Sequence, residues 1–293
     1  MYHIVLYFLI ISFICVNSFH TSNLRIKMGN SMSMTISGLS APESEILRIG
    51  QLAARQAGAI MLAGSKEFNI DNLQQKAGDR DVLTEYDTRA QNKIKEIILN
   101  AFPSHQFLGE EDVAPGRDAA ADAISKNVTA SNLWIVDPID GTTNFAHSMP
   151  LSGVIIAYAE AGIITLGIIY DPFHDEMFVA FKGKGAYCNN LPITVDKAKT
   201  ISSSVLGTGS PPNIDSLNGC LRAQQVLSDK CRTIRILGAA CLNVAWTANG
   251  RMSAYFETDM NVWDVAAGAL LITEAGGKVT DIDGNPYTAG AIS

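Results

Sequence analysis

From Glu43 to Ala63 the apolar residues Ile46, Leu47, Ile49, Leu52, Ala53, Ile60 and Met61 recur at helical spacing, which predicts an amphipathic helix. Asp87 to Ala101 predicts a second, with Ile94, Ile97, Ile98 and Leu99 on its apolar side. Between them, Gly78-Asp79-Arg80-Asp81 has the glycine and polar signature of a turn or mobile loop. The period then changes. Leu133-Trp134-Ile135-Val136 is a short continuous apolar run, a buried strand, and Val154 to Tyr158, Ile163 to Tyr170 and Glu176 to Phe181 follow as successive strands. Turns fall at Ala161-Gly162 and Asp171-Pro172. Ala240 to Thr247 and Val265 to Glu274 return to helix, and Ala275-Gly276-Gly277 ends the latter as a glycine C-cap would. Helices mixed with hairpin-linked strands predict layered α and β, not an all-parallel doubly wound sheet.

The first forty residues have a different character. Ile4 to Val16 is apolar except for Ser12, too short to span a bilayer comfortably and suited to the core of a signal peptide. Val16-Asn17-Ser18 offers a small residue for cleavage, and a signal anchor is the alternative reading. Residues 19–40 are rich in Ser and Thr, carry Arg25 and Lys27, and contain no acid. That is transit-peptide composition, and the tandem of the two segments resembles the plastid-targeting leaders of algae with secondary plastids. A linker on a secreted protein is the alternative. The expected organisation is therefore a signal peptide over 1–18, a transit-like or linker segment over 19–40, and a folded domain over 41–293. No later apolar stretch has the length of a membrane span, and no internal repeat is seen.

Composition narrows the partners. The net charge of −7 sets the chain against nucleic acid, whose phosphates an acidic surface repels. An acidic protein can still serve an anionic substrate when cations sit between them. Cys15 would leave with the leader, and Cys188, Cys220, Cys231 and Cys241 are scattered without CxxC spacing, which predicts free thiols and no zinc site. Asn127-Val128-Thr129 is a glycosylation sequon that matters only in the secretory route.

The candidate chemistry lies in the carboxylates. In the run Trp134 to Phe145, Asp137 ends the predicted strand, and Pro138 biases it away from the helical region and so fixes the direction of its carboxylate. Asp140 follows three residues on, where a tight turn can bring both acids to one side. Gly141, Thr142 and Thr143 then offer backbone N–H groups at a predicted helix start, a cradle for phosphate. Hard oxygen ligands beside an anion-binding helix start are what a magnesium–phosphate site needs. Asp-Pro and Asp-Gly are also ordinary turn formers. Glu110-Glu111-Asp112, after an apolar lead-in, reads either as a solvated turn or as further ligands. Asp264, beside Trp263 at the start of an apolar helix, is either an N-cap or a ligand.

Two motifs, WIVDPIDGTTNF from Trp134 and WDVAAGALLITEAGG from Trp263, resemble the signatures of the inositol monophosphatase family, within the lithium-sensitive, magnesium-dependent sugar phosphatases. The likeness runs from about Ser44 to Tyr287 and makes residues 41–293 a phosphatase domain. It implies an α+β fold, a layered αβαβα sandwich of the inositol monophosphatase and fructose-bisphosphatase type. It also implies Mg²⁺ held by Glu110, Asp137, Asp140, Asp264 and the Ile139 carbonyl. Thr142 and Asp87, the latter in the D-x-x-T-x-x-D pattern from Asp81, would help Glu110 activate a water. Lys76 matches a lysine of a mobile loop. Gly141 and Thr142 would bind the phosphate, and Gly238, Ala239, Ala240, Glu257 and Asp264 the substrate alcohol.

The resemblance further implies a homodimer, lithium inhibition and a small phosphate monoester as the substrate, myo-inositol monophosphate foremost. Histidinol phosphate, or another sugar phosphate of the same family, is the alternative substrate, and a non-catalytic metal- or phosphoinositide-binding relative is the alternative class. His147 and His174 read as surface or loop residues. The family usually continues beyond the Asn285 to Ser293 region through another strand and helix; a truncated sequence and a genuine shortening are the alternatives, and a genuine shortening would leave the core less covered.

Overall fold

The structure, a computed structural model, describes residues 36–76, 82–127, 129–198 and 200–287. The signal-peptide reading and most of the transit-like segment, the Gly78 to Asp81 turn, Val128 of the sequon and the chain after Tyr287 lie outside the described residues. The chain runs through α1 (Ala41–Glu67), β1 (Gln74–Gln75), β2 (Val82–Leu83), α2 (Glu85–Ala101), β3 (Gln106–Gly109) and α3 (Arg117–Asn127). It continues with β4 (Asn132–Asp140), α4 (Thr142–Ala146), β5 (Gly153–Glu160), β6 (Ile163–Asp171), β7 (Glu176–Phe181), β8 (Ala186–Cys188) and β9 (Leu191–Pro192). The last part comprises β10 (Val205–Thr208), α5 (Ile214–Leu227), β11 (Thr233–Ile236), α6 (Ala240–Ala248), β12 (Ala254–Phe256) and α7 (Val262–Glu274).

A seven-stranded sheet in the order β3-β4-β5-β6-β7-β8-β9 is the centre of the molecule. Only the β3–β4 pair is parallel within it. Both faces are covered, which is why its strands read as continuous apolar runs rather than alternating ones. Trp134, Val136, Ile156, Tyr158 and Ile168 face α1 and α2, whereas Leu133, Ile135, Ile155, Ala157 and Ile169 face α6 and α7. Each of the large aliphatic side chains among them contributes on the order of 1.5–3 kcal/mol by its burial. Beyond α6 lies a second, all-parallel sheet in the order β11-β10-β12, and α5 packs beyond it, with Cys220 against Thr258. The layers are therefore αβαβα.

Helix starts are fixed by side-chain caps. Ser40 and Glu43 form a capping box at α1, with Pro in its first turn, and Thr84 and Asp87 form another at α2. The observed α1 and α2 extend a few residues beyond the predicted spans. A larger difference concerns α7, which begins at Val262 rather than Val265, because Asn261 caps it and Asp264 sits inside its first turn. Its C-terminus matches the sequence reading, with Ala275 as C-cap and Gly276 at φ +85°. Cys188, Cys220, Cys231 and Cys241 are free thiols. Among the described residues, no helix is long and apolar enough to cross a membrane.

Candidate active site

The sequence placed the end of a strand at Asp137 and a tight turn before Asp140. The structure corrects this: β4 runs on through Pro138 to Asp140. Asp137 pairs with Ile155 and Asp140 with Gly153, so three steps on β4 oppose two on β5. That extra residue is a β-bulge. In a regular strand, residues three apart point to opposite faces. The bulge cancels the alternation, and both carboxylates line the same cavity. The Ile139 amide donates to Asp137 Oδ1 at 3.0 Å, which holds that side chain across the bulge.

Gly141, at φ +84°, turns the chain out of the sheet into α4. A Cβ there would lie 2.9 Å from the Ala239 Cβ and 3.0 Å from the Leu151 carbonyl oxygen, so only glycine suits both the conformation and the space. Thr142 opens the helix, whose first amides have no intrahelical partner. The Thr142 hydroxyl lies 3.1 Å from Asp87 Oδ1 and 3.1 Å from the Ile139 carbonyl oxygen. Asp87 accepts with its other oxygen from the Thr84 amide at 2.8 Å and the Thr84 hydroxyl at 2.5 Å. Burial pushes Asp87 up to about 6, against those same hydrogen bonds.

A cavity of about 590 Å³ gathers the candidate residues. Glu110, Asp137, Ile139, Asp140, Gly141, Thr142, Gly238, Ala239, Ala240, Glu257, Asp264 and Lys76 all line it. Asp87 does not; it stands behind Thr142, buried. Glu110 opens a short 3-10 turn after β3. Asp140 Oδ2 accepts the Cys241 amide at 2.7 Å, in the first turn of α6, where a negative charge suits the helix dipole. Asp264 Oδ2 accepts the Asn261 amide at 2.6 Å and so completes a capping box, rather than acting as the N-cap itself.

The electrostatics are those of crowded acids. Asp137 is pushed well above the usual carboxylate range by burial first, then by the charges of Glu110, Asp140 and Asp264. Burial also raises Asp140, against its hydrogen bonds at Cys241 and Ala240, and raises Asp264, with Glu110 adding to it. Lys76 enters this field from the loop after β1. Its ammonium bonds Glu110 at 2.9 Å and Glu111 at 2.8 Å. Burial pulls the Lys76 pKa down, but the two glutamates outweigh it and the net shift is upward.

The donor set fits a hard divalent cation: carboxylates and a backbone carbonyl, all oxygen, in excess of the positive charge available. Their raised pKa values show how poorly the site tolerates its own charge without one. Among the described residues, no three acidic, His or Cys side chains already converge as tightly as an ion requires. Lys76 supplies the positive charge at Glu110.

Several residues in or beside the cavity were not assigned a role from the sequence. Glu111, read from sequence either as part of a solvated turn or as a further ligand, stands behind the lining: its side chain is buried beside Lys76, and its amide donates to Gln91 Oε1. Asn144 donates to the carbonyls of Leu151 and Leu237, both at 2.7 Å, and ties α4 to the segment before α6. Asp259, Met260 and Trp263 close one side. His147 is exposed, as read from sequence, yet sits on the cavity rim.

Known proteins share this arrangement's sequence and fold. The family model for the inositol monophosphatase family matches residues 43–293. The Nus factor SuhB of Pseudomonas aeruginosa is 36% identical over 244 residues, covering 82% of this chain and 86% of that protein. Human inositol monophosphatase 1 is 34% identical over 249 residues, covering 84% and 87%. The crystal structure of the extragenic suppressor protein suhB from Bartonella henselae superposes with a TM-score of 0.74 at 32% identity, covering 84% of this chain and 91% of that one. With a family match over most of its length, and with the bulged Asp137–Asp140 pair and the Thr142–Asp87 contact in one cavity, the chain belongs to the inositol monophosphatase family.

Proposed function

We propose that the chain hydrolyses myo-inositol monophosphate to inositol and phosphate, with Mg²⁺ as its cofactor. The broader class, hydrolysis of a phosphoric monoester, follows from the family. The observation that carries the finer reading is the Thr142 hydroxyl, 3.1 Å from Asp87, set among Glu110, Asp137, Asp140 and Asp264 on a single cavity. With its proton directed to Asp87, the Thr142 oxygen presents lone pairs to the cavity and can orient a water. Glu110 accepts that water's proton as its oxygen attacks phosphorus. The amides at the start of α4 hold the phosphoryl oxygens. Gly238, Ala239, Ala240 and Glu257 face the alcohol that departs.

Glu110, Asp137, Asp140, Asp264 and the Ile139 carbonyl would hold Mg²⁺, which supplies Lewis acidity and positive charge for the phosphoryl and leaving oxygens. The name carried by the human relative supports inositol monophosphate. Lithium sensitivity belongs to the same proposal.

The test is phosphate release from inositol monophosphates, histidinol phosphate and glycerol 2-phosphate, with Mg²⁺ and with EDTA. Release from inositol monophosphate at the highest kcat/KM, abolished by EDTA, is expected. Full turnover in EDTA defeats the metal assignment, and a preference for histidinol phosphate moves the substrate. No release from any of the three leaves a non-catalytic binder.

A further inference from the structure

Asp259 stands two residues beyond Glu257, on the same wall of the cavity. Its backbone is left-handed, with φ +69°, a conformation that Asp adopts more readily than most residues but seldom adopts without a local reason. The reason is visible in its partners. Arg117, at the start of α3, donates from Nε to Asp259 Oδ1 and from Nη2 to Ser216 Oγ at 2.9 Å. Three elements distant in sequence therefore brace this carboxylate, whose side chain is only 14% exposed. Among the described residues, Arg117 alone pairs with Asp259, and it uses one of the two oxygens.

The neighbouring Glu257 is held as firmly. Tyr255 Oη donates to Glu257 Oε2, and Gly209 lies so close that a Cβ there would meet the Glu257 carboxyl carbon at 1.8 Å. Burial pushes Glu257 up to about 7, against the Tyr255 hydrogen bond, and the charges of Asp140 and then Asp259 add to that push, so the two wall acids lie within electrostatic reach of each other.

We infer that Asp259, braced by Arg117, is a specificity-determining residue that accepts hydrogen bonds from hydroxyls of the departing alcohol and selects a neutral polyol. Glu257 and Asp259 together make a wall of acceptors, and Arg117 offsets one of their charges. A second phosphate on the substrate would be repelled there, and an apolar alcohol would offer no donor to the remaining oxygen of each acid. The inference rests on the phosphatase reading above and refines it.

The experiment compares KM and kcat for myo-inositol 1-phosphate and phenyl phosphate in wild type, Asp259→Asn, Asp259→Gly and Arg117→Gln. Asn and Gly both tolerate the left-handed backbone, so folding is retained. KM for the inositol ester should rise about tenfold in Asp259→Asn, equivalent to about 1.4 kcal/mol, and further in Asp259→Gly, with kcat nearly constant. KM for phenyl phosphate should move much less, and Arg117→Gln should reproduce part of the split. Equal shifts on both substrates, or none, overturn the assignment while leaving the phosphatase reading intact. A wild type that hydrolyses neither ester overturns both.

Discussion

Asp264 shows how much one side chain carries. Its Oδ2 takes the Asn261 amide at 2.6 Å, and the residue also lines the cavity with Glu110, Asp137 and Asp140. Asn in its place can still accept that amide, but it removes the charge that would offset a cation. We expect kcat to fall about a hundredfold in Asp264→Asn, or about 2.7 kcal/mol of transition-state stabilisation. Stability without metal should hold or improve, since one charge leaves a mutually repelling set. Measuring kcat and Tm at low and saturating Mg²⁺ decides it, and unchanged turnover would reduce Asp264 to a helix cap. At this scale the sequence was readable wherever a motif fixed spacing, as at Asp137, Asp140 and Thr142. It was silent at Asp259 and left Glu111 undecided, because their significance comes from Arg117 and Lys76, far away along the chain.

Among the elements, α2 and α7 share a device. Each begins with a capping box whose third-position acid, Asp87 or Asp264, gives one oxygen to its own helix start. The other Asp87 oxygen meets Thr142. Thr84→Ala should therefore lower stability by about 1 kcal/mol, as cap losses do, and also lower kcat because Asp87 loses its second anchor. Thr84→Ser should restore both. A variant with reduced Tm but wild-type kcat would separate the box from the chemistry. The helices α1 and α2 and the strands β4 to β7 were legible because they bury long apolar runs, whereas α3 and the sheet's short outer strands β3, β8 and β9 were not. The start of α7 was missed because its apolar run begins after Asp264, while its cap is the polar Asn261. The second sheet and α5 gave little signal: β10, β11 and β12 are three or four residues long, and α5 buries only Ser216, Gly219 and Cys220.

For the whole molecule, the buried acids set a pH dependence. Asp87 rises from 3.8 to about 6 and Glu257 from 4.5 to about 7, each chiefly through burial. An acid whose pKa is higher folded than unfolded stabilises the fold below its unfolded value, and that stability is lost as pH rises through the folded value. In chelator, Tm should thus fall between about pH 4 and 7, and Mg²⁺ should raise it most at the upper end of that range. Melting curves across that range test this, and a flat or rising Tm in chelator would contradict it. The cavity also spans layers: Asp137 comes from the central sheet, Asp264 from α7, and Glu257 follows β12 of the second sheet. No single layer holds enough of it to bind alone. By mass action, whatever occupies the cavity then favours the assembled protein over the open chain by RT ln(1 + [L]/Kd), about 2.7 kcal/mol at a hundredfold excess over Kd. The thermal endurance of this protein would accordingly track how much cation and phosphate ester its surroundings contain.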